Sequence, residues 1–302
     1  MQERGAARPT AAANGIEIAY EAIGRPQDRP LLLVMGLGTQ MIHWDDELCA
    51  MLAERGHRVI RFDNRDVGLS TKLVEHGVPN VMTAFATAAR GGTVQSAYTL
   101  SDMAADTAGL LDALDIGSAH VVGASLGGMI AQTLAIERPA RVRSLTSIMS
   151  TPGDRDLPGA TPAATAALLT PAPNDREGNI ARGVQVFRAI GSPGFPFDED
   201  RVRERAARAY DRCFHPAGTA RQLLAIMAAG GRRDALRKLR VPALVIHGAD
   251  DPLVPLACGV DTAEAIPSAE RLIIEGMGHD LPRAAWPRIV DAIAGLTARA
   301  ER

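Results

Sequence analysis

Short apolar runs recur along the chain, and most of them stop at a glycine or an aspartate. They cover residues 31–35, 59–62, 120–122, 145–149, 243–246 and 272–274. Runs of this length without polar alternation are typical of strands that are buried on both faces of a parallel sheet. We therefore expect a sheet of at least six such strands.

Segments of helical periodicity separate these runs. They cover residues 45–54, 101–114, 125–137 and 282–296, and Ser101 stands at the N-cap position of the second. Strand and helix in repeated alternation predict an α/β fold with a mostly parallel central sheet that is flanked by helices. The residues before Asn14 resemble a loose tail. However, Asn14-Gly15 lies between the short runs 10–13 and 16–20, which predicts a hairpin at one edge of the sheet.

Residues 151–240 break the alternation. This stretch contains eight of the 19 prolines and four of the six phenylalanines, with helical patterns at 163–169, 180–190, 199–213 and 219–229 but no clear strand. We interpret it as an inserted helical cap. The predicted organisation is a core of residues 1–150 and 241–302, interrupted by a cap of residues 151–240. We also expect some of the apolar side chains Phe187, Phe195, Phe197, Phe214, Leu223 and Met227 to line a substrate pocket.

Composition excludes several kinds of partner. The net charge is −2, so no overall field attracts nucleic acid or an anionic membrane. The start of the chain is small and polar, unlike a secretory signal, and no apolar run reaches the roughly 18 residues of a membrane span. Three widely spaced cysteines form no disulfide framework, which suits a reducing compartment. These features predict a cytoplasmic protein, and nothing in the pattern indicates an oligomeric state.

Cofactor and metal motifs are also missing from the sequence. It contains no phosphate-binding loop, no dinucleotide fingerprint and no zinc-ligand spacing. We therefore expect no cofactor and no metal.

The clearest chemical motif surrounds Ser125. Gly123-Ala124-Ser125-Leu126-Gly127 matches G-x-S-x-G, directly after a predicted strand and at the start of a predicted helix. Such a turn lifts the serine hydroxyl above the sheet, and its flanking positions must be small because they meet across the turn. Ser125 is therefore the candidate nucleophile.

A serine nucleophile needs a base and an orienting acid. His279 follows the last predicted strand on a glycine-rich loop, and it therefore lies at the carboxyl edge where catalytic groups collect in open parallel sheets. His43, after another loop of that edge, is the alternative base. Asp250 and Asp251 follow the preceding core strand, and we favour Asp251 as the acid. The order Ser, Asp, His is typical of hydrolases with this strand–turn–helix motif.

The oxyanion of the intermediate needs backbone donors. The N–H of Leu126, next to the nucleophile, is the expected first donor. The loop Gly36-Leu37-Gly38 after the first core strand is the expected source of the second, and we assign that donor to Leu37.

These motifs together resemble the α/β-hydrolase fold superfamily of serine hydrolases along the whole chain. The matching segments are 34–38, 63–70, 123–128, 248–255 and 276–279. Within the superfamily the chain is most similar to small capped esterases related to aclacinomycin methylesterase. The resemblance places the acid three residues after Gly248, which is Asp251. Two departures are Met35, where many members have histidine, and Asp66, which replaces a glycine beside Arg65. We interpret Arg65 as part of a bracing Arg–Asp network.

The predicted function is hydrolysis of a small to medium uncharged carboxylic ester through an acyl-enzyme. The partner would be the small-molecule ester. Serine at position 125 argues against the epoxide hydrolases and haloalkane dehalogenases of this fold, which use aspartate as the nucleophile. A cofactor-free perhydrolase or haloperoxidase, or a carbon–carbon bond hydrolase, would use the same triad and stays open. A non-catalytic ligand-binding protein is the remote alternative.

Overall fold

Eight strands form one mixed sheet in the computed structural model, which describes residues 9–302. They are β1 (Thr10–Ala13), β2 (Ile16–Ile23), β3 (Arg29–Val34), β4 (His57–Phe62), β5 (Ala119–Ala124), β6 (Val142–Ile148), β7 (Ala243–Gly248) and β8 (Ala269–Ile274). The order is β1-β2-β4-β3-β5-β6-β7-β8, with β3 to β8 parallel and the first two strands antiparallel. The predicted α/β architecture and its edge hairpin are confirmed. Of the expected tail, residues 1–8 lie outside the described residues and 10–13 form β1.

Helices cover both faces of this sheet. They are α1 (Asp46–Glu54), α2 (Val81–Ala89), α3 (Leu100–Ala113), α4 (Leu126–Glu137), α5 (Pro162–Leu169), α6 (Arg176–Ile190), α7 (Glu199–Arg212), α8 (Pro216–Ala228), α9 (Arg233–Leu236), α10 (Leu256–Ala265) and α11 (Trp286–Ala300). Short 3₁₀ turns at Met41–His43, Val74–His76, Pro139–Arg141 and Arg283–Ala285 complete the described elements. Within residues 9–302, no helix combines the length and hydrophobicity that a membrane span requires.

The strands are apolar without alternation because both of their faces are buried. On β3, Leu32 and Val34 pack with α3 and α4, whereas Leu31 and Leu33 pack with α1 and α11 on the opposite face. Successive side chains of a strand point to opposite faces, so a strand buried on both favours apolar residues at consecutive positions. The two hydrophobic clusters fix the sheet and therefore the edge from which the functional loops emerge.

The structure corrects the predicted start of one helix. Ser101 lies inside α3, and its hydroxyl donates to Glu137. The N-cap is Thr99, whose side chain accepts from the N–H of Asp102 while the Asp102 carboxylate accepts from the N–H of Thr99. This reciprocal capping box satisfies two N-terminal donors, which a serine at position 101 could not do.

The stretch between β6 and β7 contains five helices, α5 to α9, and no strand. Residues 190–195, at the end of α6 and the start of its connection to α7, pack on the loop after β8. Helix α8 packs beside the loop after β3. The segment thus reaches the carboxyl edge of the sheet from two sides. Its status as a separate cap domain stays a prediction.

Two buried histidines meet at the opposite, amino edge of the sheet. The rings of His57 and His120 are 6.5 Å apart in an edge-to-face arrangement. His120 bonds Ser144 Oγ at 2.8 Å and Glu301 at 3.0 Å. Burial lowers the pKa of His57, and it lowers the pKa of His120 to about 4.

We expect the His120→Gln variant to lose part of the pH dependence of stability. An unfolded histidine has a pKa of about 6.5, so between about pH 4 and 6.5 the unfolded chain binds the proton that folded His120 rejects. The His120 contribution is fully present above pH 6.5 and declines as the pH falls through this window, by up to about 1.4 kcal/mol per pH unit. Denaturant unfolding of both proteins at pH 7 and pH 4.5 measures the difference. Identical pH dependence in variant and wild type would contradict it.

Candidate active site

The structure brings Ser125, Asp251 and His279 together at the carboxyl edge of the sheet. Ser125 follows β5, Asp251 follows β7 and His279 follows β8. The Oγ of Ser125 lies 3.0 Å from Nε2 of His279, and Nδ1 of His279 lies 2.7 Å from Oδ2 of Asp251. A carboxylate facing Nδ1 keeps the proton on that nitrogen, so Nε2 is the acceptor for the serine hydroxyl.

Close backbone packing creates the turn at Ser125. The residue has φ 55° and ψ −121°, a conformation that non-glycine residues rarely adopt. A Cβ at Gly123 would lie 2.1 Å from the carbonyl oxygen of Gly127, and a Cβ at Gly127 would lie 2.0 Å from that of Val34. Both positions therefore exclude side chains, as the sequence motif implies. The turn leaves Ser125 partly exposed above otherwise buried neighbours.

The two adjacent aspartates have different environments. Buried Asp251 accepts the N–H groups of Leu253 and Val254 at 2.9 and 2.8 Å with Oδ1, which leaves Oδ2 for the histidine. Exposed Asp250 instead accepts the N–H of Gly276 at 2.9 Å. Asp251 is thus oriented toward the imidazole, whereas Asp250 links the loops after β7 and β8.

A second histidine, His247, supports the acid loop. It is fully buried at the end of β7, and its Nε2 lies 2.8 Å from the carbonyl of Val254. Burial lowers the pKa of His247, so the ring is neutral and Nε2 carries the proton that this carbonyl accepts. Nδ1 has no hydrogen-bond partner among the described residues, and a Cβ at Gly259 would lie 2.2 Å from it. His247 therefore fixes the backbone that supplies donors to Asp251.

The loop carrying His279 is held by the segment between β6 and β7. The N–H of His279 donates to the carbonyl of Ile190 at 2.7 Å, and the N–H of Gly278 donates to Ser192 Oγ at 2.9 Å. Ser192 also donates to the partly buried carboxyl of Asp280, whose pKa is raised by desolvation. The sequence analysis missed these supports, because no local pattern links residues about 90 positions apart.

His43, the alternative base, does not face Ser125. Its Nδ1 lies 3.2 Å from the carbonyl of Gln40, three residues earlier in the same turn. Burial, together with the smaller effect of the neighbouring Arg205, lowers the pKa of His43 to about 3.

The predicted oxyanion donors lie beside Ser125, the predicted nucleophile. A Cβ at Gly36 would lie 3.2 Å from the Cβ of Ser125, so the loop after β3 reaches the serine closely. Within residues 9–302, the N–H groups of Leu37 and Leu126 donate to no protein acceptor. Two free donors next to a serine hydroxyl can stabilise a developing negative charge.

Arg65 lies in a buried ion pair rather than in the site. Its Nε and Nη2 bond the carboxylate of Asp106 at 2.6 and 2.7 Å, and its guanidinium stacks over Tyr98. The neighbouring Asp66 has φ 68° and bonds Nε and Nη2 of Arg221 at 2.8 and 2.7 Å. These contacts agree with a bracing network at the turn after β4.

A cavity of about 790 Å³ lies beside the loop after β3. It meets this loop at Leu37 and Gly38, but neither Ser125 nor His279 lines it. Of the predicted pocket residues, Phe214 and Leu223 lie in its wall. The other predicted residues are placed elsewhere: Phe187 and Phe197 stack under Arg205 and Arg188, Phe195 packs on the core, and Met227 packs against the small cluster of Ala84, Val94 and Leu224. No cluster of potential metal ligands occurs in the part of the chain that the structure describes.

Comparisons with known proteins agree with this architecture. The sequence profile of the alpha/beta hydrolase fold family matches residues 29–282. Rhodomycin D methylesterase DauP of Streptomyces sp. (strain C5) is 31% identical over 300 residues, covering 92% of this chain and 93% of that protein, and DnrP of Streptomyces peucetius gives the same values. Among solved structures, the meta-cleavage product hydrolase CumD of Pseudomonas fluorescens IP01 matches with a TM-score of 0.73 at 20% identity, covering 97% of this chain and 98% of that one.

The chain belongs to the α/β-hydrolase fold family. It is an enzyme, a hydrolase that acts on ester bonds. The resemblance inferred from the sequence motifs is thereby confirmed.

Proposed function

We propose that this protein hydrolyses a carboxylic ester through a covalent acyl-enzyme, with Ser125 as nucleophile, His279 as base and Asp251 as orienting acid. The observation that carries the proposal is the unbroken chain of hydrogen bonds from the serine hydroxyl through the imidazole to a buried carboxylate, at 3.0 and 2.7 Å. Nucleophile, base and orienting group within hydrogen-bond reach are the geometric signature of this chemistry.

The reaction follows from the assigned proton positions. His279 Nε2 takes the hydroxyl proton as Ser125 Oγ attacks the carbonyl carbon, and a tetrahedral intermediate forms. The C–O bond to the alcohol then breaks while the imidazolium returns the proton to the leaving oxygen. His279 then takes a proton from the water that attacks the acyl carbon. The bond from this carbon to Ser125 Oγ breaks, the imidazolium returns the proton to Oγ, and the acid is released. Asp251 stabilises the imidazolium throughout and keeps Nδ1 protonated.

We assign the oxyanion to the N–H groups of Leu37 and Leu126. The free state of both donors and the approach of Gly36 to Ser125 support this assignment. The removal of one such donor in other serine enzymes slows turnover by about 10²–10³-fold. Two backbone donors also tolerate Met35 in place of the histidine found in many members, since no side chain is required.

The substrate class rests on the cavity and on the relatives. We propose residues 151–240 as a cap that shapes this cavity, because α6 and α8 contribute to its wall. The wall is mainly apolar, and the charge of Asp66 within it is neutralised by Arg221. Two relatives are methylesterases. An uncharged ester of small to medium size fits these features, and methyl esters of apolar acids are the first class to test.

The alternatives use the same triad and have no separate support among the described contacts. Perhydrolysis would need peroxide in place of water, and carbon–carbon cleavage would need a vinylogous diketone. Parallel assays with an ester, with peroxide plus a short carboxylic acid, and with such a diketone separate the three reactions.

The Ser125→Ala variant should lower kcat by about 10⁶-fold, as triad deletions do in other serine enzymes, while the fold stays intact. A fluorophosphonate should label Ser125 in the wild type, as detected by intact mass and peptide mapping. Ser101→Ala, on an exposed helix surface, is the control and should be labelled normally. Near wild-type esterase activity in Ser125→Ala would falsify the proposal.

The Asp251→Asn variant should lower kcat by about 10⁴-fold, because an amide no longer fixes the Nδ1–H tautomer of His279. Asp250→Asn is the matched control and should have a far smaller effect, since its carboxylate bonds only the backbone of Gly276. Steady-state kinetics of both variants on one ester measure the difference. The reverse order of effects would assign the acid to Asp250.

A series of p-nitrophenyl esters from acetate to octanoate should show kcat/KM rising with acyl length. Each methylene that becomes buried contributes about 0.8 kcal/mol until the cavity is full. An ester with an anionic acyl chain of equal length is the matched control and should react more slowly. A flat series, or preference for the anionic ester with Arg182 of the cavity wall as its cation, would contradict the uncharged substrate class.

A further inference from the structure

The loop after β3, residues 36–39, carries the proposed oxyanion donor Leu37 and is held by one side chain from a distant helix. Thr39 closes the loop on itself, with its N–H and Oγ1 donating to the carbonyl of Gly36 at 3.3 and 2.9 Å. The N–H of Gly38 instead donates 2.8 Å to Oε1 of Gln222 on α8. Gly38 has φ 64°, a left-handed conformation that glycine adopts readily. Because glycine is also free to adopt other conformations, the backbone at this point is not rigid by itself.

Gln222 is fully buried and uses both ends of its amide. Its Nε2 donates to the carbonyl of Arg65 at 2.9 Å. The amide orientation is determined by its partners, because Gly38 offers only a donor and Arg65 only an acceptor. The side chain therefore joins the loop after β3 to the turn after β4.

The helix that carries Gln222 is itself anchored beside the loop. The preceding residue, Arg221, forms the two-bond ion pair with Asp66 and also bonds the carbonyl of Gly77. Thr219 lies against Gly38 so closely that a Cβ there would be 2.6 Å from its methyl group. Gln222 thus acts from a fixed support, and the loop cannot shift toward α8.

We propose that Gln222 is a positioning residue that aligns the Leu37 N–H with the oxyanion. The bond to Gly38 fixes the Leu37–Gly38 peptide, which is the peptide that directly follows the donor residue. The Leu37 N–H itself belongs to the preceding Gly36–Leu37 peptide, whose carbonyl accepts the two Thr39 bonds. Without the Gln222 bond the Leu37–Gly38 peptide can rotate, which loosens the turn closed by Thr39 and lets the Leu37 N–H move away from the oxyanion. The inference rests on the proposed function, because it presupposes that Leu37 is an oxyanion donor.

The test replaces the buried amide with an apolar chain of similar length, in Gln222→Met. Gln132→Met is the matched control: Gln132 is also fully buried, and its amide bonds Ser147 and Arg232 rather than a loop of the site. We expect Gln222→Met to lower kcat by about 10- to 100-fold with KM nearly unchanged, somewhat less than deletion of an oxyanion donor. Gln132→Met should retain kcat even where its melting temperature falls as far.

A transition-state analogue separates positioning from general destabilisation. A trifluoromethyl ketone forms an oxyanion on the serine, so its Ki should rise in Gln222→Met in proportion to the fall in kcat/KM. Gln222→Glu keeps an acceptor for Gly38 and should recover part of the kcat; it also provides the test if the methionine variant does not fold. Equal kcat in both glutamine-to-methionine variants, a change in KM alone, or an unchanged Ki would overturn the inference.

The outcome remains distinct from failure of the proposed function. If wild-type ester hydrolysis does not depend on Ser125, the proposed function fails. If hydrolysis depends on Ser125 while Gln222→Met retains wild-type kcat, only the positioning role fails.

Discussion

The chain at Ser125 is packed so tightly that its backbone has no room to relax, and the geometry of the site depends on this packing. A φ of 55° in a non-glycine residue is strained, and such strain persists only where surrounding structure determines the conformation. Here the determinants are backbone atoms: α4 approaches the carbonyl of Val34 so closely that Gly127 can carry no side chain. The same contact brings the end of β3 next to Ser125, so this serine and the adjoining loop are located together.

The sequence predicted what local patterns encode. Apolar runs that end at glycine or aspartate located the buried strands, and the edge rule for parallel sheets selected the loops of His279 and Asp251. The sequence analysis missed α2 and α10 because valine, threonine, phenylalanine, glycine and aspartate within them have low helix propensity, and it missed α9 because that helix has only four residues. The true N-cap of α3 could have been predicted, since Thr99-x-x-Asp102 is itself a capping-box pattern, whereas Ser101 was assigned instead.

Long-range contacts could not be predicted from the sequence for a different reason. Gln222 and Ile190 bond loops that are 184 and 89 residues away in sequence, and one buried amide or carbonyl leaves no periodic trace. Asp66 is the opposite case. The sequence showed that aspartate replaces the glycine of related proteins at this position, but not which residues this aspartate contacts. Aspartate tolerates a φ of 68° better than most residues do, and its carboxylate gives Arg221 a buried partner. Removal of either partner from a buried pair of this kind would leave an uncompensated buried charge, which is strongly destabilising.

The stretch between β6 and β7 bonds both the loop of His279 and the loop of Leu37. A segment that only covered a pocket could be exchanged between relatives to alter selectivity. In this protein such a chimera would also exchange the bonds from Ile190, Ser192 and Gln222, and it would inherit whatever alignment the donor segment imposes on the recipient's loops. An exchange of this segment in this protein therefore has to include the two loops that it holds, so that segment and loops are transferred together.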